Sequence, residues 1–299
     1  MKNYYSDFFD TAHREFIIPG IYEGFVPQGF FYLPEHNAFL VSGYDYDTGY
    51  SKIYTVTNNG AEAAASSTGI CDESGNPLEC HSGGVGAYGD VVYLAGNNGL
   101  CYILSLADIL SGTGTANIAG SFATYNNADY CTVHDGRLYI GEFYYGIKFN
   151  TDESHHITTP AGGENPAVIS VFKLDNNAAT SLDESPESMI SIRGKIQGIC
   201  FDAQGSMILS ESVFFSPSRL YYYNIERMKQ QVESFAVNDN DIPLCFADDS
   251  ALLMTKELPP KVEGLAFCDG RVYFVNEAAS SRFLLGRFLG LEYSYSIDE

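Results

Sequence analysis

The chain has 299 residues, 45% of them hydrophobic, with 20 Phe and 22 Tyr, so it can bury a large core and no disorder need be invoked. Its 38 acidic and 16 basic residues give a formal net charge of −22, a surface that repels phosphate backbones and anionic headgroups and favours cations or neutral ligands, which excludes nucleic acid as a partner. The opening segment lacks the apolar run of a signal peptide and no apolar stretch reaches membrane-spanning length, so no membrane association is expected.

In chain order, Glu15–Tyr22 reads as a strand that pairs with the C-terminal end and closes a ring. Then comes a unit that recurs five times: a polar residue, a hydrophobic strand, a tight turn and a second strand. The copies are VPQGFFYLPEHNAFLVSG from Val26, SGGVGAYGDVVYLAG from Ser82, ADYCTVHDGRLYIGE from Ala128, IQGICFDAQGSMILSE from Ile196 and VEGLAFCDGRVYFVNE from Val262. Their turns carry Gly, Asp or Asn, which supply the positive φ a tight hairpin needs. Third strands are expected at Lys52–Thr57, Leu100–Leu106, Ala167–Leu174, Arg219–Asn224 and Arg282–Phe288. Single helical turns are expected at Ser105–Leu110 and Asn224–Gln231. Fourth strands are expected at Ile118–Ala123, Ser188–Ile192 and Val232–Val237. Gly60–Cys80, Asn150–Pro166 and Asn238–Lys261 read as loops. The repeats recur every 46 to 68 residues, the pattern of an all-β propeller. A single five-bladed β-propeller spanning 1–299 is expected, or six blades if Asn238–Lys261 hides a degenerate one.

Seven cysteines, several inside strands, point to a reducing, cytoplasmic compartment. An exported domain whose leader is absent from this chain would read the same way. Cys71 and Cys80 lie in a polar loop and could close a small disulfide.

Aligned on their second strands, the repeats bring Gln28, Gly83, Asp129, Gln197 and Glu263 into register at the start of the innermost strand. These residues belong at one mouth of the central channel, with His81 just upstream. The loops after the second strands add Asp45, Asp47, Glu142, Glu211, Asn276 and Glu277 at the same mouth. Such a ring of oxygens invites a hard cation, calcium before magnesium, with Asp129 and Glu263 as ligands. The same loops carry Tyr44, Tyr46, Tyr50, Phe143, Tyr144, Tyr145, Phe214 and Phe215, either a stacking platform for a small ligand or packing onto the blades. Candidate ligand contacts are Gln28, His81, Tyr44, Tyr130, Tyr144, Gln197 and Glu277.

Three functions fit this pattern. One is binding of a cation and a small neutral or cationic ligand, such as a sugar, at the mouth. A second is hydrolysis, for which Asp129, Glu142, Glu211 and Glu263 are the candidate acids and bases; a glycosidase needs two carboxyls roughly 5–9 Å apart. A third is a platform for a protein partner, which would expose an apolar patch.

The stretch Ala128-Asp129-Tyr130-Cys131-Thr132-Val133-His134-Asp135-Gly136-Arg137-Leu138-Tyr139-Ile140-Gly141 resembles a blade of the calcium-dependent apyrases, five-bladed nucleotidases with calcium in the channel. The resemblance implies that Asp129 and Glu263 ligate calcium. It departs from that family at Gln28 and Gln197, where carboxylates would bind a cation more strongly, and the mouth has few basic residues to hold a polyphosphate.

Overall fold

The innermost hairpins form where the turn residues dictate. Asn37, Asp135, Asp269, Gly89, Gly136, Gly205 and Gly270 all take positive φ at the strand-to-strand turns. In this computed structural model, which describes residues 4–57, 63–96, 98–112, 114–174 and 185–299, five such hairpins extend into the blades of a β-propeller. Lettering the strands A to D outward from the axis, blade 1 comprises Phe25–Leu33, Ala38–Asp45, Ser51–Thr57 and Ala65–Cys71. Blade 2 comprises Gly84–Tyr88, Val91–Ala95, Leu100–Ser105 and Gly120–Ala123. Blade 3 comprises Tyr130–His134, Arg137–Gly141, Ala167–Lys173 and Ser188–Ile192. Blade 4 comprises Ile196–Phe201, Met207–Glu211, Ser218–Tyr223 and Leu252–Leu258. Blade 5 comprises Val262–Cys268, Arg271–Asn276, Tyr293–Asp298 and, from the other end of the chain, His13–Ile17.

The expected ring closure is present, with slightly different bounds. His13 pairs with Ser296 and Ile17 with Tyr293, after which the chain turns into blade 1. The expected outer strands of blades 2 and 3 are also present, as Gly120–Ala123 and Ser188–Ile192, but in blades 4 and 5 the chain departs from expectation. Arg282–Phe288 is not a strand; Leu284–Leu289 forms a short helix ended by Gly290 at positive φ, and the third strand lies further on at Tyr293–Asp298. The segment expected as the outer strand of blade 4 instead forms a hairpin, Glu233–Val237 with Asn240–Phe246, that pairs in parallel with the outer strand of blade 3. Blade 2 does the same on a smaller scale: Thr115–Asn117 pairs in parallel with Ala65–Cys71 of blade 1. All three expected loops contain strands, including the short pair Ile157–Thr158 with Glu164–Asn165, and among the described residues no sixth blade is hidden in them; residues 60–62 of the first loop lie outside the described residues.

The core is divided among the blade interfaces, because alternate residues of a strand face opposite neighbours. In Val91–Ala95, Val92 and Leu94 pack toward blade 1, whereas Val91, Tyr93 and Ala95 pack toward blade 3. The N-terminal helix Ser6–Thr11 buries Phe8 over the blade 4–blade 5 interface, against Phe274 and Tyr295. All seven cysteines are free, so Cys71 and Cys80 are not bonded; the Cys80 Sγ lies 3.1 Å from Ser51 Oγ and 3.3 Å from Ser82 Oγ. Among the described residues no helix is long and apolar enough to cross a membrane.

Near the axis, Gly29, Gly84, Gly198 and Gly264 each follow the polar register residue of their blade. A Cβ on Gly264 would stand 2.4 Å from Phe30 N, and one on Gly84 would stand 2.0 Å from Cys131 N. Only glycine permits this approach. With Tyr130 at the same level in blade 3, these residues pinch the channel until the gap among them holds a volume of ≈ 0 Å³.

Candidate functional site

Above that constriction the register residues surround a blind cup of ≈ 210 Å³. Gln28, Gly83, Asp129, Gln197 and Glu263, one from each blade, line it together with His81 and Glu277. Gly83 breaks the polar pattern for a steric reason: a Cβ there would meet the Asp129 carbonyl oxygen at 1.8 Å.

Asp129 is fixed at both ends. Its backbone N–H donates to Gly141 O at 2.8 Å, and its Oδ2 accepts from Phe143 N–H at 2.6 Å. Burial raises its pKa to about 7, against the favourable Phe143 hydrogen bond, and the nearby Glu142 adds to the rise. Glu263 is almost wholly buried, and its carboxyl is pushed well above the usual range by burial and by Glu277, with Lys261 opposing. Gln197 Nε2 donates to Glu263 Oε1 at 3.4 Å, and Gln28 Nε2 donates to Pro27 O at 3.0 Å. Lys261 donates to Glu277 in a short ion pair. It neutralises one carboxylate; among the described residues neither Asp129 nor Glu263 has an ion-pair partner, and Lys148, the other ammonium at the cup, lies 5.0 Å over the Phe149 ring.

His81 and Tyr44 stack at the edge of this group, ring centroids 4.6 Å apart and 14° from parallel. Burial holds His81 below its ordinary pKa, with Glu277 pulling the other way, so the imidazole is neutral at pH 7. Burial, then Glu277 and Glu263, raise the Tyr44 phenol to about 12. The rest of the wall comes from two loops. Phe143, Tyr145, Lys148 and Phe149 follow the second strand of blade 3, and Ser212, Val213 and Phe214 follow that of blade 4.

Several candidate residues lie elsewhere. Glu142 is 0% exposed and points away from the cup, accepting from Val168 N–H (3.0 Å) and Asn127 N–H (3.2 Å) and pairing with His155 Nδ1 at 2.7 Å. That carboxylate pins loops. Glu211 receives the Tyr221 hydroxyl and lies 3.7 Å from Arg219, also outside the cup. Tyr130 is buried in the blade 3–blade 4 core, and its hydroxyl has no hydrogen-bond partner. Tyr144 meets His156 edge-on at 5.1 Å and packs against the same core. Asp45 is tied to Thr48 and Lys52, and Tyr46 receives Arg282 over its ring and at its hydroxyl. Sequence reasoning missed Lys148 and Lys261. Lys261 had a legible signal, since it stands two residues before Glu263.

No protein-family model and no curated relative matches the chain. Solved structures resemble it in fold. The glutaminyl cyclase of Myxococcus xanthus is 10% identical over 96% of this chain and 94% of that one, with a TM-score of 0.47. The PQQ-bound aldose sugar dehydrogenase of Streptomyces coelicolor is 13% identical over 91% and 93%, with a TM-score of 0.42. The β-propeller domain of Cps50 (Swd1) from Myceliophthora thermophila is 7% identical over 97% and 99%, with a TM-score of 0.39. With all three TM-scores below 0.5, none of these likenesses carries fold or activity across to this chain.

Proposed function

We propose that the channel mouth binds a small organic cation, a primary ammonium or guanidinium head with several N–H donors. The observation that carries this reading is one blind cup lined by three carboxyl groups and two amides against two ammonium groups, Lys261, which is tied to one of the three carboxylates, and Lys148, which lies over the Phe149 ring. Burying Asp129 and Glu263 disfavours their ionised forms, and a bound cation offsets that cost by pairing with them. Phe143, Tyr145, Phe149 and Phe214 line the same cup, and aromatic faces attract cations. Calcium, which the resemblance to apyrases implies, takes about six to eight oxygen ligands. The cup offers three carboxyl groups and two amides, whose oxygens also suit an organic cation with several N–H groups.

Calorimetric titration with agmatine, and separately with calcium, at pH 6 and pH 8 tests the reading. Agmatine should bind more tightly at pH 8, where Asp129 is ionised, and at least 10-fold more weakly to Glu263→Gln. Absence of agmatine binding at millimolar concentration at pH 8 would overturn it, and calcium binding alone would replace the organic cation with the metal. A second reading, hydrolysis with Glu263 as proton donor and Asp129 as base, is favoured by two carboxyls in one cavity, both raised by burial toward the range of a general acid or base. It requires turnover, for instance of nitrophenyl glycosides, that Asp129→Asn abolishes.

A further inference from the structure

The two loops that wall the cup also carry apolar side chains that the fold does not use. Ile147 is 101% exposed, Phe215 65%, Phe214 51% and Phe149 45%. Gly146, at positive φ, makes the turn that carries Ile147 outward. The Tyr145 ring meets Phe214 edge-on at 5.4 Å, joining the two loops into one ridge, and Phe143 meets Phe149 at 5.5 Å. Ile147 and Phe215 themselves do not line the cup; each is the chain neighbour of a residue that does, Lys148 and Phe214. An acidic cup beside such a ridge has the anatomy of an anchor pocket, in which one charged side chain is desolvated and surrounding apolar contacts exclude water. The net charge of −22 selects partners of opposite sign.

We infer that this face docks an exposed segment of a basic protein, with an arginine or lysine side chain in the cup and the apolar residues flanking it on the Ile147–Phe215 ridge. The inference rests on the cation reading and adds the rest of the ligand to it. A cup of ≈ 210 Å³ suits one long basic side chain rather than a folded element. The ridge then accounts for apolar surface that a free small cation would leave in water.

The test compares three probes by calorimetry at pH 8 and low salt: agmatine, Ac-Ser-Phe-Arg-Phe-Ser-amide, and the same peptide with citrulline in place of arginine. The arginine peptide should bind at least 10-fold more tightly than agmatine, and citrulline should remove at least 10-fold of that affinity. In the double variant Ile147→Ser/Phe215→Ser the peptide should fall to the affinity of agmatine while agmatine binding is unchanged. Both substitutions are at exposed positions, and an unaltered melting temperature confirms folding. If agmatine binds and the peptide binds no more tightly, or if the double variant keeps the peptide's advantage, the docking inference falls and the cation site stands. If neither binds, both fall.

Discussion

Replacing Asp129 with Asn removes an ionisable group from the cup while keeping an oxygen to accept from Phe143 N–H. In the folded protein Asp129 titrates near pH 7 rather than at the ordinary 3.8. The sign follows from linkage. Below about pH 4 the side chain is neutral in both the folded and unfolded chains, and it costs nothing. As pH rises past 3.8 the unfolded chain loses its proton first, so stability falls until about pH 7 and then levels off. At about 1.4 kcal/mol per pH unit, the full gap is worth roughly 4 kcal/mol, and residual solvation at a partly exposed side chain brings the expected effect to about 2–4 kcal/mol. Asp129→Asn should therefore match the native protein at pH 4 and exceed it by that amount at pH 8. In a domain of this size this is a rise in Tm of roughly 3–6 °C. Urea denaturation at pH 4, 6 and 8 measures it. A difference between the two proteins that stays constant from pH 4 to pH 8 would refute the assignment of a carboxyl whose pKa is raised by burial.

Gly264→Ala should destabilise by roughly 3 kcal/mol, the upper range for overpacking, because its Cβ meets backbone atoms that cannot turn aside, whereas Gly120→Ala, with open space around it, should be near neutral; chemical denaturation separates them. Glu142→Ala should cost about 3–5 kcal/mol by leaving two backbone N–H groups and His155 without their acceptor, and Glu142→Gln should recover part of the loss. Phe16→Ala, on the closing strand and packed against Phe30 and Phe39, should cost about 3–5 kcal/mol, and amide exchange should accelerate at Tyr293–Asp298, its strand partner, before it does in blade 3.

The inner hairpins were legible because each joins two short apolar strands through a turn whose residues announce positive φ. Some outer strands were legible too, Ser188–Ile192 with its bounds and Ile118–Ala123 in part, but others were not. Ala65–Cys71 and Leu252–Leu258 are largely exposed along one face, so their composition reads as loop, and what makes them strands is the blade they pair with. The same limit governs the site. Register placed Gln28, Asp129, Gln197 and Glu263 together, since all four share one position in the repeat. Tyr130 follows Asp129 directly, so strand alternation turns it from the channel into the core. Glu142 lies just past a strand end, where the blade 3 loop and His155, rather than repeat position, fix its direction. Lys261 escaped notice because the reading followed oxygens, and the residue beside them supplies the counter-charge.

The parallel strands handed back from blade 2 to blade 1 and from blade 4 to blade 3, with the closing strand that leads from blade 5 into blade 1, brace the circle unevenly. Blades 5, 1 and 2 form one laced arc and blades 3 and 4 another. Among the described residues the seams between blades 2 and 3 and between blades 4 and 5 have side-chain packing and isolated hydrogen bonds, such as Val262 N–H to Ser218 Oγ, but no strand passed across. Under load or gentle denaturant the circle should part along those two lines, yielding two semicircular fragments that open as units. Asp129 stands at the first seam and Gln197 and Glu263 flank the second, so a molecule held in the cup would bridge both and tie the halves together.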